Sequence, residues 1–122
     1  MNILLRALIL LLLTAMLSPV WAEEQCNYAG TQAQMDVCAF RDFKIIDSEL
    51  NHVYKKLMDS LTPEHQKKLR EEQRAWLKVR DRQCRKEAND AAEGGSMWPV
   101  MFNGCLENLT KVRIQQLRQW KK

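Results

Sequence analysis

Gln73, Trp76, Arg80 and Cys84 lie at steps of 3, 4 and 4 within EEQRAWLKVRDRQC (71–84). On a helix this spacing puts an amide, a large apolar ring, a guanidinium and a thiol on one stripe. Such a stripe is either a recognition or catalytic surface, or a core in which polar groups fix the geometry. Catalysis makes demands that the rest of the chain can be held against. Nucleophilic chemistry needs a hydroxyl or thiol beside a base, but Ser48, Ser60 and Ser96 stand in no recognisable nucleophile setting. Acid–base work on a glycosidic bond needs two carboxylates in a cleft. Asp42, Asp47 and Glu49 are interleaved with Arg41 and Lys44, and read instead as a solvated, ion-paired helix face. His52 and His65 also fall on charged faces and read as solvated. With no C-x-x-C pair and no histidine at ligand spacing from a cysteine, neither a metal site nor thioredoxin-like redox chemistry is expected. The chain reads as non-enzymatic and free of cofactors.

These residues must be positioned by the elements around them, and the first 22 residues stand apart from those elements. Arg6, the apolar run ALILLLLTAML (7–17) and Val20-Trp21-Ala22 have the order of a secretory leader, with cleavage expected between Ala22 and Glu23. The run is short for a membrane span, and Cys26 follows Glu-Glu-Gln rather than a lipobox, so no stable anchor is expected after cleavage. The expected product, 23–122, is one domain in the periplasm or outside the cell. The whole chain carries 19 basic and 15 acidic side chains, a formal charge of +4. Loss of Arg6 with the leader takes one cation away. So mild a balance does not point to nucleic acid.

Cys26, Cys38, Cys84 and Cys105 all follow the leader, and an even number in a short exported chain reads as two disulfides. Residue counting from the turns favours Cys26–Cys38 with Cys84–Cys105, on the short loops each closes. The same counting also brings Cys38 level with Cys84, which keeps Cys38–Cys84 with Cys26–Cys105 as an alternative.

The predicted fold is all-α, a three-helix up-down-up bundle stapled by two disulfides. Between Thr31 and Leu61 there is no proline or glycine, and Ala39, Phe43, Ile46, Leu50, Val53 and Leu57 form an amphipathic stripe. Thr31 is the expected N-cap, with Gln34 completing a capping box. Thr62-Pro63 opens a second helix to about Ala92, ended by Gly94 or Gly95 in a left-handed conformation. A third helix is predicted from about Val100 to Trp120, with Phe102, Cys105, Leu109, Val112, Gln116 and Trp120 on its inner face.

A first cysteine, QMDVCA (34–39), ELNHVY (49–54), LREEQRAWLKVRDRQC (69–84), GGS (94–96), a fourth cysteine and LTKVRIQQL (109–117) follow in order. This series closely resembles the LprI-type lysozyme inhibitors and covers essentially the whole chain after the leader. The resemblance implies an all-helical, disulfide-bonded envelope protein. In the namesake it implies binding and inhibition of lysozyme; the namesake type is lipid-anchored, unlike the soluble form expected here. Leu50, Asn51, Tyr54, Gln73, Arg74, Trp76, Arg80 and Asp81 are then read chiefly as architecture. Trp76 is the anchor, Arg80 a partner for Asp47 or Asp42, and Asn51 and Tyr54 are expected to complete a polar layer. The candidate binding element is the hairpin EGGSMWP (93–99). There Gly94 and Gly95 allow close approach, Ser96 donates and Trp98 stacks on a sugar subsite, with Arg85 and Lys86 flanking. The expected partner is lysozyme or another peptidoglycan hydrolase. The alternative is an envelope adaptor or stress protein that binds a protein or anionic component through the basic stretch KVRIQQLRQWKK (111–122).

Overall fold

A computed structural model describes residues 26–121. The expected leader and its cleavage site lie outside the described residues. Three helices account for most of the described chain, and no strand occurs among the described residues: α1, Gln32–Asp59; α2, Pro63–Ala92; α3, Trp98–Arg118.

Each boundary has a local cause. Thr31 caps α1 through a capping box, its hydroxyl accepting from the Gln34 N–H while the Gln34 side chain accepts from the Thr31 N–H. Thr62 caps α2 through its hydroxyl alone, accepting from the His65 N–H, with Pro63 in the first turn where its missing N–H costs nothing. Gly94 ends α2 with φ of +69°, a conformation open to glycine and strained for most other residues. The third helix begins at Trp98, two residues before the predicted start, because Pro99 fits within its first turn. It stops at Arg118, with Gln119 as its C-cap.

The third helix packs along both others, whereas α1 and α2 approach each other closely at few points. This central placement corrects the predicted inner face of α3. Leu106, Thr110, Ile114 and Leu117 are buried, while Val112 is 55% exposed and Gln116 faces solvent. Apolar side chains lie on several sides of α3, so spacing alone had two stripes to choose from, and contact with two helices selected the second.

Three levels stack along the bundle. At the end that holds the α1–α2 turn, Leu50, Leu61, Leu69, Ile114 and Leu117 form the apolar core, with Ile46, Val53, Leu57 and Trp120 against it. Each such side chain contributes on the order of 2 kcal/mol by burial. A layer of guanidinium groups and aromatic rings crosses the middle. At the far end the apolar contacts are thin, among them Ala39, Ala88 and Leu106, and two disulfides staple the chain. They join Cys26 to Cys38 and Cys84 to Cys105, the favoured pairing.

Candidate functional site

The stripe on α2 points inward. Gln73 and Arg80 are each 7% exposed and Cys84 is fully buried. Arg80 donates through Nε to Asp81 at 2.9 Å and through Nη1 to the Thr110 hydroxyl at 3.3 Å. The same Nη1 lies 3.5 Å from an Asp47 carboxylate oxygen, which joins α2 to α1. Its guanidinium carbon stands 5.1 Å from the Trp76 ring centre and 5.5 Å from that of Phe43. A planar cation serves here because it offers its edge to oxygens and its face to rings at the same time.

A second guanidinium extends this layer. Arg113 on α3 donates from Nε to the Gln73 side-chain oxygen at 2.9 Å and lies 5.6 Å from the Trp76 centre. Burial pulls its pKa below the ordinary arginine value, and Glu72 works against that pull. Trp76 is thus flanked by cations from α2 and α3. Sequence reasoning missed Arg113 because a cation inside a basic C-terminal run reads as solvated.

Asn51 and Tyr54 do not join the layer. Their side chains make no hydrogen bond with another described residue; the Tyr54 ring packs against the apolar core, and both residues line a groove between α1 and α2 together with Leu50, Arg70, Gln73, Arg74 and Leu77. Asp47 stands in the same groove. Arg74 therefore faces outward, although its neighbour Gln73 faces in.

The hairpin candidates separate into two groups. Gly94, Gly95, Ser96 and Met97 are exposed, as is Arg85 on α2. Trp98 is half-buried: its ring stacks on Phe102 at 4.8 Å and its Nε1 donates to Asn89 at 2.7 Å. Lys86 is paired with Asp90 one turn along, which raises its pKa. The exposed tip is therefore glycine, serine and methionine, with the indole held back on the bundle.

One further residue differs from the reading of the sequence. His65 is half-buried, edge-on to Trp120 with ring centres 6.0 Å apart, and its Nδ1 lies 3.1 Å from the Thr62 hydroxyl. It lies on the side of α2 that meets the end of α3, so it is only partly solvated. Tyr28, before α1, donates its hydroxyl to Asp42 at 2.6 Å. Burial and this hydrogen bond push the phenol up to about 12, because ionisation would set a phenolate against the carboxylate. Asp42→Asn should bring the Tyr28 titration down toward the ordinary value near 10. Ultraviolet absorbance during alkaline titration checks this; an unmoved Tyr28 transition in Asp42→Asn would rule the contact out as its cause. Because the folded-state pKa is the raised one, this contact stabilises the fold below pH 10. Its contribution falls as pH rises toward 12.

Among the described residues, no three His, Cys, Asp or Glu side chains converge as metal ligands, and no helix is long and apolar enough to cross a membrane. Three helices, a buried guanidinium layer and two staples at one end define a small disulfide-bonded helical-bundle protein. Residues 22–117 match the family model described as lysozyme inhibitor LprI, and the chain belongs to that family. An uncharacterized protein of Rhizobium meliloti (strain 1021) is 32% identical over 124 residues, an alignment that takes in 91% of this chain and 88% of the relative. No solved structure matches the chain significantly.

Proposed function

We propose that the mature chain, residues 23–122, is an exported, non-enzymatic binding protein that inhibits a lysozyme or a related peptidoglycan hydrolase by occluding its cleft. Family membership across residues 22–117 carries this reading. The leader read at 1–22 and the two disulfides support an oxidising location, in the periplasm or outside the cell. Cleavage between Ala22 and Glu23 and release without an anchor belong to the same proposal.

The element proposed to enter the cleft is the tip Gly94–Met97. It is exposed and joins α2 to α3 at the disulfide end, so the Cys84–Cys105 bridge braces its base. A hydrolase cleft presents carboxylates. The tip offers the Ser96 hydroxyl and exposed N–H groups, with Arg85 on the flank, as donors to them. The net positive charge gives no long-range attraction to a basic lysozyme, so affinity must come from contacts made at close range. The adaptor reading through α3 has less to support it. Lys111 pairs with Glu107, Arg113 is half-buried and donates to Gln73, and Arg118 donates to Glu49 at 2.7 Å.

The test is clearing of a cell-wall suspension by several lysozyme types, with oxidised 23–122 titrated in. Inhibition should saturate near one to one and vanish after reduction and alkylation. Ser96→Asp, which sets a carboxylate against the enzyme's own, should weaken inhibition by about tenfold or more with an unchanged melting temperature. Failure to inhibit any type would overturn the proposal. Full inhibition by Ser96→Asp would remove the hairpin from it.

A further inference from the structure

The groove between α1 and α2 carries an unspent set of hydrogen-bond donors. It measures about 300 Å³ and opens to solvent beside the buried layer. Arg70 and Arg74 stand one turn apart on its α2 wall, both exposed. Neither makes an ion pair or side-chain hydrogen bond with another described residue, and the same holds for Asn51 and Tyr54 on the α1 wall. This contrasts with Arg80, Arg113 and Arg118, each held by partners within the fold. Leu77, half-buried, is the groove's accessible aliphatic surface, while Leu50 beneath it belongs to the buried core.

The geometry points to a binding site for a short acidic peptide segment of a partner protein. Its carboxylates would meet Arg70 and Arg74, and an aliphatic side chain between them would lie on Leu77. Each part of this assignment has a physical cause. Two guanidiniums one turn apart on α2, across the groove from an amide and a phenol one turn apart on α1, select oxygen acceptors, and guanidinium forks fit carboxylates. Asp47 lies in the same groove and disfavours a ligand that concentrates two negative charges at one point, such as phosphate. Tyr54 is the groove's one aromatic ring, whereas its aliphatic part suits a peptide side chain better than a stacked sugar. The site does not rest on the inhibitor reading and survives its failure.

The experiment is NMR titration of the isotopically labelled, disulfide-intact protein with acetyl-Glu-Leu-Glu-amide. Acetyl-Gln-Leu-Gln-amide and inorganic phosphate serve as comparisons. The acidic peptide should shift the resonances of Asn51, Tyr54 and Gln73, with the glutamine peptide binding at least about tenfold more weakly. Arg70→Gln with Arg74→Gln should abolish those shifts while leaving the rest of the spectrum in place, since both side chains are exposed and unpartnered. No shifts at the groove, or shifts that persist in the double variant, would overturn the proposal. Equal shifts from phosphate would also overturn it, by reducing the groove to a general anion site.

Discussion

Arg80→Ala should unfold at markedly lower denaturant, with a loss of about 3 kcal/mol. The side chain is 8% exposed and serves α1, α2 and α3 at once, through Asp47, Asp81 and Thr110. Truncation leaves the Thr110 hydroxyl without its donor, Asp47 without its α2 cation, and a void beside Trp76 and Phe43. The figure lies at the low end for a broken buried pair because Asp47 retains 22% of its side-chain exposure. Arg80→Lys should recover less than half of the loss. A single ammonium cannot lie against a ring and reach three oxygens together. Arg80→Met, which fills the space without a charge, should cost less than Arg80→Ala, since the ion pair sets register more than it adds net stability. Urea unfolding followed by circular dichroism, with a double-mutant cycle against Asp47→Asn, measures these terms. A loss below about 1 kcal/mol for Arg80→Ala would show that the layer is incidental to the fold.

Removal of the Cys84–Cys105 bridge, as Cys84→Ala with Cys105→Ala, is expected to cost about 3 kcal/mol. The bridge closes a separation of 21 residues, and chain-entropy arguments assign about that amount to a loop of this size. That is a large part of the total stability of a domain this small. The bridge also holds α2 to α3 at the level where apolar packing is thinnest, beside Ala88 and Leu106. Loss of Cys26–Cys38 should act more locally. That bridge tethers the segment before α1, so its removal should free the first turns of α1 and weaken the Tyr28–Asp42 contact. Hydrogen exchange on the two double variants separates the cases. The first should lose protection across α2 and α3, and the second chiefly between residues 32 and 42. Equal, bundle-wide loss in both would contradict the division of the fold into a packed end and a stapled end.

The sequence by itself determined the three helices, because caps and breakers act within a few residues. Thr31 with Gln34, Thr62 with Pro63, and Gly94 each fixed a boundary by hydrogen bonds or backbone conformation that need no distant partner. It also determined that four cysteines pair, and residue counting along antiparallel helices favoured the observed pairing. The inward direction of Gln73, Arg80 and Cys84 was legible in their spacing, since the helical period sets one stripe whatever packs on it. Tertiary structure decided the rest. Val112 and Leu106 are both apolar, and only the place of α3 against α1 and α2 buries one and exposes the other. Arg113 and Arg118 look alike in a basic run, yet one reaches into the layer under Gln73 and the other lies on the surface with Glu49. Asn51, Tyr54 and Arg74 belong to a motif that reads as architecture; the Tyr54 ring does pack against the core, but the separation of α1 from α2 leaves Asn51 and Arg74 lining an open groove beside it. A periodic pattern states which residues share a face. The distance between helices states whether that face is filled, and it depends on side chains far apart in the chain.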